Sequence, residues 1–118
     1  MTINKTITQT DELRPNCVSA ELKAAWVLAL DGRLRTEVLS QPLAPLTYPE
    51  DADTELAAAE PYGELYTLWC AALLDLTAGD TVRYANTMAA FEQLLDAFSR
   101  QSAKASSLPD GGFRNVRL

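Results

Sequence analysis

Three carboxylates at alternate positions, Asp51, Asp53 and Glu55, form the densest set of chemically capable side chains in the chain. That spacing opens a calcium loop, in which alternate side chains turn onto one ion. Such a loop also needs a glycine at its sixth position and a glutamate at its twelfth. Those positions hold Leu56 and Tyr62, so the calcium reading is rejected. The chain contains no histidine. That removes the usual general base, the usual metal ligand and the usual activator of a serine or cysteine nucleophile. Cys17 and Cys70 stand far apart and form no C-x-x-C pair, and two distant cysteines do not make a zinc site. No glycine-rich phosphate loop appears. The carboxylates therefore read as solvated charge. The residues predict no catalytic group, no cofactor site and no metal site, so the chain is not expected to be an enzyme.

Composition narrows the remaining classes. At 118 residues, 47% hydrophobic and 22% charged, the chain is long enough for one domain with a real core. A net charge of −6 and a pI near 4.5 argue against a surface that grips nucleic acid, which needs a basic patch. They are compatible with a surface that DNA slides past without sticking. The longest apolar run, Ala24 to Leu30, is too short to span a bilayer. The start, MTINKTITQTDELR, lacks the apolar core of a signal peptide. No membrane role is expected, and the protein is expected to be made and kept in the cytosol. Reduced thiols are the expectation there, although a disulfide between Cys17 and Cys70 remains open.

The element that must organise the chain is Pro61 to Gly79, PYGELYTLWCAALLDLTAG. Pro61 suits a first helical position, and Gly79 suits the position just past the last turn. Leu65, Leu68, Trp69, Ala72, Leu73 and Leu76 recur at helical steps, with Tyr66, Cys70 and Leu74 beside them. Only Glu64, Thr67 and Asp75 are left for a narrow polar strip. A helix apolar over most of its circumference belongs at the centre of a bundle.

Around it, residues 1–6 read as a loose start, followed by a short helix from about Thr8 to Leu13 that Pro15 ends. Ser19 reads as the N-cap of a helix from Ala20 to about Ser40. Within it, Leu22, Ala25, Trp26, Ala29 and Arg33 share one face, and Val27, Leu30, Leu34 and Val38 another. From Gln41 to Glu60, Pro42, Pro45 and Pro49 forbid a continuous helix, and the segment turns acidic. Leu43, Leu46 and Tyr48 are candidates to pin this loop, and Asp53 or Thr54 to cap a short helical turn through Ala59. Asp80 or Thr81 caps a last helix from Thr81 to about Lys104. Its residues Tyr84, Met88, Phe91, Leu95 and Phe98 are spaced by 4, 3, 4 and 3. The tight turn at Gly79-Asp80 makes this helix and the central one an antiparallel hairpin. Its other face, Asn86, Ala89, Ala90, Gln93 and Ala97, is small or neutral.

The expected fold is therefore all-α: a small helical bundle on an antiparallel hairpin, with a long acidic proline-containing loop. The helical domain spans 1–104. Residues 105–118 form an extended tail in which Phe113, Val116 and Leu118 alternate with Arg114 and Arg117. No other strand exists in the chain to pair with it. The tail is expected either to be disordered in the isolated protein or to dock on an adjacent subunit or neck protein, with the two arginines meeting acidic loop residues among Asp51, Asp53 and Glu55.

The middle and second half of the chain resemble a family of small prophage structural proteins. The likeness is carried by the segment DADTEL at Asp51 to Leu56, the helix start PYGELY at Pro61 to Tyr66, and the hairpin residues Asp75, Gly79, Tyr84 and Asn86. Upstream, the RPN at Arg14 to Asn16, the tryptophan helix and the LDGR at Leu30 to Arg33 fit as well, as does the FRNV of the tail. One departure is AAAEP at Ala57 to Pro61, where relatives carry a more apolar stretch. Such proteins are similar to the head–tail connectors, or adaptors, of tailed bacteriophages. The resemblance implies a small helical protein without catalytic activity or cofactor. Its copies would form a ring, commonly of about a dozen. That ring would sit under the portal protein, extend the DNA channel and receive the next neck or tail component, in the host cytoplasm during assembly and then in the virion neck. The competing reading is a small acidic helical regulator that sequesters a protein partner.

Overall fold

A computed structural model describes residues 1–107. They form four α-helices, α1 (Ile3–Leu13), α2 (Ala20–Arg33), α3 (Glu64–Thr77) and α4 (Thr81–Ser107), and no strand occurs among the described residues. The chain is an all-α bundle. The expected tail segment with Phe113, Arg114, Val116, Arg117 and Leu118 lies outside the described residues. Within them, α4 continues as helix to Ser107, past the expected boundary at 104.

α3 is central, packed against α1, α2 and α4. Leu65, Tyr66, Cys70, Ala71 and Ala72 are fully buried there. Each large apolar side chain so buried contributes about 1.5–3 kcal/mol. The turn into α4 is made by Gly79, at φ 79°, where a side chain would be strained. Asp80 then caps α4 by accepting a hydrogen bond from Arg83 N at 3.0 Å. Contacts between the two helices run in reverse order: Asp75 with Thr87, Trp69 with Phe91, and Tyr62, just ahead of α3, with Phe98. The hairpin is therefore antiparallel. Of the expected seam, Phe91 and Phe98 are buried and Tyr84, Met88 and Leu95 half-buried.

Several boundaries differ from the sequence reading. The start of the chain is not loose: α1 begins at Ile3, capped by the Thr2 side chain on Lys5 N at 3.2 Å. Met1, Ile3, Thr6 and Thr10 are buried against the bundle. α3 begins at Glu64 rather than Pro61, because residues 60–63 turn so that Tyr62 packs on Phe98 with the rings tilted by 51° and their centroids 5.2 Å apart. The Tyr48–Pro49 and Glu60–Pro61 peptides are cis. Gly63 lies where the N-terminus crosses; a Cβ there would stand 2.8 Å from the Met1 Cβ. The strip Thr67 and Asp75 is buried rather than solvated, and only Glu64 is exposed.

Ser19 caps α2 as expected, accepting from Leu22 N at 3.1 Å. The core face is the Val27, Leu30, Leu34 row, while Leu22, Ala25 and Ala29 are exposed. The helix does not run regularly to Ser40. It widens into a π-helical turn over Leu34–Val38, with Leu39 N donating to Leu34 O at 3.0 Å. Ser40, at φ 53°, then ends it in the left-handed region. From there to Gly63 the chain is loop and turns, and the expected helical turn through Ala59 does not form. Leu46 and Tyr48 pack on the core, but Leu43 is 68% exposed and only covers Gly32.

Candidate functional site

Among the described residues, polar side chains capable of chemistry gather in four places, each joining segments distant in sequence. The first lies under the acidic loop. Asp31, on the last turn of α2, accepts from the Tyr66 hydroxyl at 2.7 Å and from Ala57 N at 2.8 Å on Oδ1, and from Arg35 Nε at 2.8 Å on Oδ2. The Tyr66 hydroxyl in turn accepts from Ala58 N at 3.0 Å. Burial first, and the bond to Asp31 second, push the Tyr66 phenol well above its ordinary range. It therefore stays a protonated donor. Every partner in this cluster is already engaged, so its chemistry is to clamp residues 57 and 58 onto α2 and α3.

The second joins α1 to the hairpin. Arg14 Nε donates to Asp75 Oδ1 at 2.8 Å, and its Nη2 reaches Asp75 Oδ2 at 3.4 Å and Thr87 Oγ1 at 3.2 Å. The Thr87 hydroxyl lies 2.9 Å from Asp75 Oδ2. This fork-on-carboxylate geometry is the strong form of an ion pair. The third sits at the α1–α2 corner. Buried Lys23 donates from Nζ to Asp11 Oδ1 at 2.6 Å and to Asn16 Oδ1 at 3.1 Å, and Asn16 Nδ2 donates to the same Asp11 oxygen at 2.9 Å. Burial pushes the Asp11 carboxyl up, but the hydrogen bonds from Lys23 and Asn16 outweigh it and hold it below its ordinary value.

The fourth contains the carboxylates that the sequence put forward for partner binding. Asp51 is half-buried and closes its own turn, accepting from Thr47 N at 2.8 Å. Asp53, exposed, accepts from Asn4 Nδ2 at 3.0 Å. Glu55, exposed, pairs with the Met1 ammonium at 3.0 Å, which holds its carboxyl below the usual range. Two backbone bonds tie the same segments: Asn4 N to Ala52 O at 3.0 Å and Leu56 N to Met1 O at 2.9 Å. The three carboxylates lie on one loop but engage separate partners rather than one ion. Among the described residues no group of three or more His, Cys, Asp or Glu side chains could hold a metal. No helix among them is long and apolar enough to cross a membrane.

Sequence reasoning missed Lys23 and Thr87 altogether, and it singled out Arg14, Asp31 and Asn16 only through short motifs. The available signal was a polar residue isolated on an apolar face, as with Asp75 on α3. The cysteines are both free: Cys17 is exposed, and Cys70 is buried, its thiol pushed up to about 12 by that burial. An open groove of about 610 Å³ lies between the loop at residues 57–62 and the last turns of α4. Comparison with protein-family models, curated proteins and solved structures gives no match to this chain.

Proposed function

We propose that the protein is a structural assembly protein of a tailed phage. In this reading it is a head–tail connector whose copies ring the DNA channel beneath the portal protein and receive the next neck or tail component. The observation that carries this is the order and spacing of DADTEL, PYGELY, Asp75, Gly79, Tyr84 and Asn86 along the chain. Three physical features support it. The net charge of −6 suits a channel wall that must not bind the polymer passing through. The interior polar groups hold helices to one another, which makes a rigid building block. The face of α4 that carries Asn86, Ala89, Ala90 and Gln93 is exposed and small, so a neighbouring copy can approach closely. Repetition of one such head-to-tail contact closes a ring. Asp53 and Glu55 project beside the N-terminus, where a basic segment of a partner can meet them.

The test is electron microscopy of the neck of particles that carry this protein. The expected result is a ring of this chain, of about a dozen copies by closed cyclic symmetry, between portal and tail. Particles whose neck density contains no copy of it would overturn the proposal. So would isolation of the protein as a stable one-to-one complex with a soluble protein partner that it sequesters.

A further inference from the structure

We propose that the α-amino group of Met1 is a modification-sensitive latch on the acidic loop. Free, it holds the loop shut; acylated, or joined to a preceding residue, it lets the loop open. The proposal does not depend on the connector reading. Met1 is buried, and its ammonium lies 3.0 Å from Glu55 Oε1 and 3.6 Å from Glu60 Oε2. One cation therefore holds both ends of residues 55–60. Backbone bonds from Asn4 N to Ala52 O and from Leu56 N to Met1 O fix the loop on either side of it. Directly after Leu56, Ala57 N and Ala58 N run into Asp31 and the Tyr66 hydroxyl. Ala57, Glu60 and Tyr62 also line the groove beside the end of α4, so the state of the amine reaches that wall.

An ammonium carries several N–H donors and a full charge, which two carboxylates can share. Acyl transfer from a thioester replaces it with a neutral amide. The nitrogen bonds to the acyl carbon, the thiol departs with one proton, and a second proton goes to solvent. A single N–H is left, so Glu55 and Glu60 can no longer both be served. They then face each other without a shared cation. Coulomb attraction alone would make this a small change, because the two glutamates are 72% and 65% exposed and exposed ion pairs contribute little. Crowding adds to it. A Cβ placed on Gly63 would stand 2.8 Å from the Met1 Cβ and 2.5 Å from Glu60 Oε2. Met1 therefore has no room to shift towards α3 when its nitrogen gains a substituent. The strain falls on the loop, whose bonds to Met1 and Asn4 come from the segment that must move.

The test compares three forms of the full chain, with the Met1 amine free, acetylated or monomethylated. Ligating a synthetic peptide of residues 1–16 to residues 17–118 at Cys17 supplies all three. The methylated amine keeps its charge and two N–H donors, so it separates charge from bulk. Amide hydrogen exchange is the readout. In the acetylated form Leu56, Ala57 and Ala58 are expected to exchange at least about fivefold faster than in the free form, with the middle of α3 and α4 unchanged. The methylated form is expected to match the free form within about twofold. Equal exchange in the acetylated and free forms would overturn the proposal. So would equal acceleration throughout α3 and α4, which would mean general destabilisation, or a methylated form as fast as the acetylated one, which would mean sensitivity to bulk alone. Protein isolated from its source that begins at Thr2, or carries residues ahead of Met1, would overturn it as well.

Discussion

Replacing Tyr66 by phenylalanine removes one oxygen atom from the middle of the protein, and the structure sets what that should cost. The hydroxyl is fully buried, donates to Asp31 and accepts from Ala58 N. Its removal leaves the Ala58 N–H without a partner in a site that water does not reach. An unsatisfied buried donor costs about 1–3 kcal/mol, and a lost bond to a charged acceptor about 1.5–3 kcal/mol. Asp31 keeps Ala57 N and Arg35, which softens the second contribution. A net loss of about 2–4 kcal/mol is expected. For a domain of this size that lowers the melting temperature by about 6–20 °C, against a total stability of about 6–18 kcal/mol.

Urea unfolding followed by tryptophan fluorescence and by circular dichroism measures the loss. Limited proteolysis supplies a local readout, because Ala57 and Ala58 are held by this cluster. Cleavage within residues 56–60 should quicken more than the global loss alone explains. A double-mutant cycle with Asp31→Asn should give a coupling of about 1–3 kcal/mol. A Tyr66→Phe protein that melts within about a degree of the parent, with no coupling to Asp31, would refute the clamp, since that shift corresponds to only a few tenths of a kcal/mol.

The remaining predictions concern the other packed sites. Asp75→Ala strips Arg14 and Thr87 of their shared acceptor and should cost about 3–5 kcal/mol in urea unfolding, whereas an exposed pair such as Arg100–Asp96 should cost under about 1 kcal/mol when broken. Phe91→Ala should cost about 3–5 kcal/mol, as expected for a buried aromatic. Trp69→Phe should stay within about 1 kcal/mol of neutral, because the indole Nε1 is buried without a hydrogen-bond partner and its removal offsets lost contact. Thiol labelling at pH 8 should modify Cys17 quickly and Cys70 only at the rate of unfolding. Because the folded Cys70 pKa is raised from 9.0 to about 12, its contribution to stability is present at neutral pH and is lost as pH climbs above about 9.

The parts of the fold legible in the sequence are those written locally. Ser19 before Ala20, and Gly79-Asp80 between two apolar stripes, fix helix ends through bonds to residues one to four positions away. The parts that escaped depend on distant partners. MTINKTITQT reads as a polar, β-branched start with little helical preference. It becomes helix because α1 buries Ile3, Thr6 and Thr10 against the bundle. Asp75 reads as solvated because periodicity equates polarity with exposure, while the arginine that receives it lies 61 positions earlier. The short helix expected after Asp53 fails for a related reason. Ala52 O and Leu56 N bond to the N-terminal segment instead of to their own neighbours.

The same geometry bears on what the motifs mean. Among the residues on which the connector proposal rests, Arg14, Asp31, Tyr66 and Asp75 sit in the two buried clusters beside Arg35 and Thr87, and Gly79 makes the hairpin turn. Asn16 braces the corner with Lys23 and Asp11. A sequence pattern made of such residues specifies how the helices are held together, and its link to the connector reading runs through the fold. On the connector reading, recognition of neighbours falls to residues that the fold does not need, such as the exposed face of α4 at Asn86, Ala89, Ala90 and Gln93, because Asp53 and Glu55 already hold Asn4 and Met1. Charge or bulk placed on that α4 face should leave the melting curve in place, because those side chains contact solvent. If the connector proposal holds, a defect in assembly from such a change reports on the interface alone, which a core substitution never can.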